Sequence, residues 1–153
     1  MTAKAHATVI DAPVTLSTAP EGDVIVLDLW DEIALPDDAN LLQVEPRRWW
    51  LIDAGDRAAA IAAQIGGAGA LTPIGGGLVR ATLAGPGWRA LLTVSACFDS
   101  ENPSFAPGQV AATIIHHVPV WIAVTGDNEA QVYMASSYAP TLIALWTQAI
   151  GVA

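Results

Sequence analysis

The chain has 153 residues, 53% of them hydrophobic and only 14% charged. Its formal net charge is −9, and its only basic residues are Lys4, Arg47, Arg48, Arg57, Arg80 and Arg89. Six cations cannot form a basic patch or stripe, which excludes nucleic acid and an anionic membrane as partners. A single cysteine, Cys97, rules out disulfide stapling within the chain and suits a reducing cytoplasm.

Residues 1–22 read as an irregular N-terminal arm. Pro13, Pro20 and Gly22 punctuate it without periodicity, and Val9 and Ile10 are its possible anchors. It carries no signal-peptide pattern. Residues 23–153 read as one domain, because a chain of this length buries one sizeable core. No stretch has the apolar length that spans a bilayer.

Asp23–Trp30 alternates as a strand, with Ile25, Leu27 and Leu29 on its purely apolar face. Glu32–Asn40 is an acidic turn region, Leu41–Val44 a short strand and Arg48–Asp53 another. Asp56–Ile65 predicts a helix with Asp56 as N-cap and Gly66-Gly67 as its stop. Ala68–Gly77 is a glycine-rich connector. It lacks the GxxxxGK[ST] pattern, and a strand follows it rather than a helix, so it is no phosphate cradle.

Leu78–Leu92 is the centre of the chain. Leu78–Ala84 alternates as a strand, Gly85-Pro86-Gly87 breaks it, and Trp88, Leu91 and Leu92 then take helical spacing. Ser95–Gln109 is a loop. Val110–Val118 and Pro119–Thr125 are strands, Gly126-Asp127-Asn128 is a hairpin turn, and Glu129–Ala135 is its second arm. Ser136 or Ser137 caps a last helix, with Pro140 in its first turn and Gly151 at its end. Tyr138, Leu142, Leu145 and Trp146 form its apolar face. The order predicts an α+β fold: an antiparallel sheet with about three helices packed on one side.

No catalytic constellation emerges. His116 and His117 are neighbours in a predicted strand, so they point to opposite faces and cannot share a metal; His6 lies in the arm. Cys97 follows a predicted helix C-terminus, where the dipole disfavours a thiolate. No serine sits in a G-x-S-x-G elbow. Asp31-Glu32 and Asp37-Asp38 read as solvated turn acids. The expected catalytic, cofactor-binding and metal sets are therefore empty.

Eleven of the fifteen acids lie at or before Asp56. They form either a solvated face or a surface for a basic partner. The six tryptophans are Trp30, Trp49, Trp50, Trp88, Trp121 and Trp146. Trp49 and Trp50 are consecutive in a strand and must face both ways. They are either a two-sided core, exposed anchors for a partner, or a stacking wall for a ring such as a pterin. Trp30, Trp49, Trp50 and Trp121 are the candidate partner contacts.

The C-terminal half resembles the gamma subunit of heterotetrameric sarcosine oxidase. The likeness lies in Leu83-Ala84-Gly85-Pro86-Gly87, the helix Trp88-Arg89-Ala90-Leu91-Leu92, Phe105-Ala106-Pro107-Gly108 and the strand pair Ala112–Val120. It continues through Tyr133, then Ser137-Tyr138-Ala139 and Leu145-Trp146, and upstream it includes Glu45–Ile52. The resemblance spans about residues 41–150. The run Cys97–Pro103 departs from the family pattern, and the first forty residues match nothing in it.

The resemblance implies a fold like the first part of the folate-binding aminomethyltransferase (glycine-cleavage T-protein) family. It implies a non-catalytic structural subunit of a flavin-dependent sarcosine or N-methyl amine oxidase complex, acting in the cytoplasm in sarcosine catabolism and one-carbon metabolism. FAD, FMN, NAD and tetrahydrofolate would sit on partner subunits, and this chain would bind none of them. The rival is a free-standing binder of folate or another one-carbon carrier.

Overall fold

The computed structural model describes residues 12–96 and 98–151. Its strands are β1 (Thr15–Glu21), β2 (Val24–Leu29), β3 (Leu41–Glu45), β4 (Arg48–Ile52), β5 (Gly69–Pro73), β6 (Leu78–Ala84), β7 (Val110–Ile115), β8 (Val118–Gly126) and β9 (Glu129–Ala135). Its helices are α1 (Arg57–Ile65), α2 (Trp88–Ser95) and α3 (Ala139–Gly151). The expected α+β class and its three helices are present. The strands divide between two sheets rather than one: β1-β6-β9-β8-β7 and β3-β4-β2-β5, with every pairing antiparallel.

Period-two alternation explains the layering. On β2, Ile25, Leu27 and Leu29 pack with Ile61 and Ile65 of α1, while Val24 and Val26 face the other sheet. On β4, Trp49 and Leu51 take the α1 side; Trp50 and Ile52 take the inter-sheet side. The five-stranded sheet turns Ala81, Leu83, Ile122 and Val132 toward α2 and α3 and meets Trp88, Leu91, Leu142 and Trp146. Leu78, Ala123 and Tyr133 of that sheet meet Val24, Trp50 and Ile52 between the sheets. Burying an indole such as Trp88 or Trp146 contributes on the order of 3 kcal/mol by area.

Several local expectations change. From Thr15 to Glu21 the supposed arm is a strand, registered on β6 from Thr15↔Ala84 to Glu21↔Leu78. Its alternation was hidden because few of its side chains are large and apolar. Val9, Ile10, His6 and Cys97 lie outside the described residues. The glycine-rich connector contains β5, whose Gly69 fits because a Cβ there would lie 2.5 Å from the Asp28 carbonyl. Asp56 makes no side-chain cap; α1 stops as expected at Gly66, whose φ is 52°. Tyr138 is exposed, whereas Leu142 and Trp146 carry the buried face of α3.

The Gly85-Pro86-Gly87 break behaves as read. Gly85 has φ 119°, and a Cβ on it would lie 2.5 Å from the Pro13 carbonyl oxygen. The Gly85 amide donates to Asn128 O at 2.8 Å and the Gly87 amide to Pro13 O at 3.0 Å. The turn is thus tied both to β9's hairpin and to the start of β1.

His116 and His117 are not strand residues. They form the two-residue turn between β7 and β8, with φ 47° and 68°, and both are exposed. Two positive φ values mark a type I′ hairpin, whose twist matches that of its strands.

Candidate functional site

The inter-sheet layer holds most of the chain's unusual chemistry. Trp50 and Trp121 stand with ring centroids 4.5 Å apart and planes tilted 57°. Tyr133 meets Trp50 edge-on at 6.3 Å. Trp50 is only 6% exposed, so it is no exposed anchor; the second sheet covers it. Trp49 is half-buried against the α1 cluster. The tandem therefore makes a two-sided core. Trp121 is half-buried, and its indole N–H is shut off from solvent with no acceptor among the described residues.

Trp30 differs from the other three. It is 53% exposed, yet held in place. Its indole N–H donates to Gly67 O at 2.8 Å, its amide to Ala68 O at 3.0 Å, and its carbonyl accepts from Arg47 at 2.7 Å. An ordered, exposed indole is the kind of group that anchors interfaces.

Beside Trp50 and Trp121 the two sheets part, leaving an open cleft of about 350 Å³. Val26 and Val44 complete its apolar wall, and Asp28, Glu45 and Arg48 stand at its rim. The Arg48 Nε lies 2.7 Å from Asp28 and its Nη1 lies 3.1 Å from Glu45. A second hollow of about 460 Å³ lies between the edges β3 and β7, with Asp37, Asp38, Gln43 and Gln109 among its lining. Asp38 there is occupied: both its oxygens accept from Arg57 Nη1 at 2.8 Å. The Asn40 amide beside it, and then Arg57, hold its carboxyl below the usual aspartate range.

At the far edge, Glu21 is 2% exposed and lies 2.9 Å from Arg80. Among the described residues its Oε1 has no well-directed hydrogen bond, and burial raises its pKa despite Arg80. Burial also pushes the Tyr133 phenol up to about 12. Its hydroxyl donates to Gln131 Oε1 at 2.8 Å.

No motif in the sequence points to the cluster around Arg89. Its guanidinium donates to Ser100 O and Phe105 O at 2.6 and 2.7 Å and lies 4.3 Å from the Trp88 ring centre. Ser100 is fully buried; its hydroxyl donates to Arg89 O at 2.7 Å. Among the described residues no base stands at that hydroxyl, and the cluster pins the loop before β7. Among the described residues no group of three His, Cys, Asp or Glu side chains converges as for a metal. No helix among them is long and apolar enough to cross a membrane.

No family model matches the sequence, and no curated protein matches it. The chain is similar in fold to a chain of a solved heterotetrameric sarcosine oxidase from Corynebacterium sp. U-96, in complex with pyrrole 2-carboxylate. The TM-score is 0.73 at 16% sequence identity, covering 90% of this chain and 84% of that one. The likeness found is one of fold.

Proposed function

We propose that this chain is a non-catalytic structural subunit of a heterotetrameric, flavin-dependent oxidase of sarcosine or another N-methyl amine, working in the cytoplasm in one-carbon metabolism. The carrying observation is the fold, shared over 90% of the chain with a chain of such an oxidase. The residues add support. The cleft beside Trp121 gathers apolar walls and paired charges. In this assignment FAD, FMN, NAD and tetrahydrofolate belong to the other subunits.

Purification of the tagged chain from its native host tests the reading. The expected result is a stable complex with a flavoprotein that consumes oxygen when sarcosine or a related N-methyl amine is added. Recovery of a stable monomer with no flavoprotein attached overturns it.

A further inference from the structure

Resting on that subunit reading, we propose that the cleft between the sheets is a docking site for an extended, basic segment of a partner subunit. One jaw is the face of the five-stranded sheet. Register places Ala112 opposite Trp121 and Ile114 opposite Pro119, so all four share that face. Ile114 is 52% exposed, and Pro119 and Ala112 are exposed too, so this face runs on past the cover of the second sheet. No Asp, Glu, Lys or Arg occurs from Asn102 to Gly126. This jaw accepts apolar side chains without desolvating a charge.

The other jaw carries Val26 and Val44, with Asp28 and Glu45 sharing the one guanidinium of Arg48. Its rim is therefore net negative. Every arginine is already engaged within the chain: Arg47 on the Trp30 carbonyl, Arg48 here, Arg57 on Asp38, Arg80 on Glu21 and Arg89 on two carbonyls. A second copy would bring one net charge of −9 against another. A basic segment complements both rim and chain.

The docked segment lays an apolar side chain on the strip at Ile114 and Pro119 and gives a Lys or Arg to Asp28 and Glu45.

The test uses the native assembly purified through the full chain, with photoreactive p-benzoylphenylalanine at position 114. The cross-link is expected in a positively charged segment of another subunit. Glu45→Lys reverses a charge at the rim; Ile114→Glu puts a charge on the strip. Each is expected to weaken retention of that subunit by about tenfold, the scale of one misplaced charge. The thermal midpoint of the isolated chain stays put, and Ala63→Glu on exposed α1 leaves retention unchanged. A cross-link to a second copy, or wild-type retention by both variants with no cross-link, overturns the docking site and leaves the subunit reading standing. Recovery of the chain with no other subunit overturns both.

Discussion

Trp50 and Trp121 come from different sheets and pack with ring centroids 4.5 Å apart. The contact is the centre of the inter-sheet layer, and Trp50 is its buried member. Trp50→Ala is expected to cost about 3–5 kcal/mol, the range for deleting a large core aromatic. Trp121→Ala costs less, because its ring is less deeply buried than that of Trp50. A double-mutant cycle by urea unfolding should give a coupling of about 0.5–1.5 kcal/mol between them. A coupling of zero shows that the sheets are held together without this pair.

Glu21 gives a pH signature with an inverted sign. Burial raises its folded-state pKa above the ordinary 4.5, and Arg80 only partly offsets this. The folded chain therefore holds this proton more tightly than the unfolded chain does. Stability from this group is full below pH 4.5 and falls as the pH rises through the raised value. Glu21→Gln should accordingly stabilise the chain at pH 7 and leave it unchanged at pH 4. Arg80 tolerates the loss because its side chain is 27% exposed and can be solvated. Loss of stability at pH 7 in the variant shows instead that the ion pair outweighs burial.

Asp38 behaves the opposite way. The Asn40 amide, and after it Arg57, hold its carboxyl below the ordinary 3.8. Its contribution is present above that ordinary value and lost as the pH falls through the depressed one. Asp38→Asn should lower the urea midpoint at pH 7, and the difference from wild type should shrink in acid. Arg57→Lys should be worse than a conservative change. Its guanidinium also donates to Ile52 O at 2.9 Å and to Asp53 O, a fork that an ammonium cannot reproduce.

How much of this was legible follows from what each residue touches. The break at Gly85 and the helix after it were readable because a φ of 119° and the 3.6-residue stripe are local facts. The Trp49-Trp50 tandem showed that the two rings face opposite ways and left open what meets each. What covers the second face depends on how β4 pairs, and pairing is not written in any window of sequence. A single sheet with helices on one side was the simpler solution, and it left one of the two rings with nothing inside the chain to cover it. β1 was missed because Ser17, Thr18 and Pro20 look like loop; its strand character comes from the β6 edge it joins. The Arg89–Ser100 cluster is tertiary throughout. The tryptophan candidates separate accordingly: Trp30 remains on the surface, and Trp50 lies inside.

His116 and His117 support the last prediction. Alternation in Val110–Val118 read straight through them, because a two-residue hairpin leaves no gap in an apolar pattern. Their φ values of 47° and 68° are those of a type I′ turn, which favours Asn-Gly. A histidine tolerates the left-handed region better than most side chains, but it still bears strain there. Both rings are exposed. The double change His116→Asn, His117→Gly should therefore stabilise the chain by about 1 kcal/mol, read as a higher urea midpoint with an unchanged slope. The β7–β8 register should persist, since Ile115↔Val118 still closes the hairpin. A lower midpoint shows that the imidazoles make contacts worth more than the strain they impose.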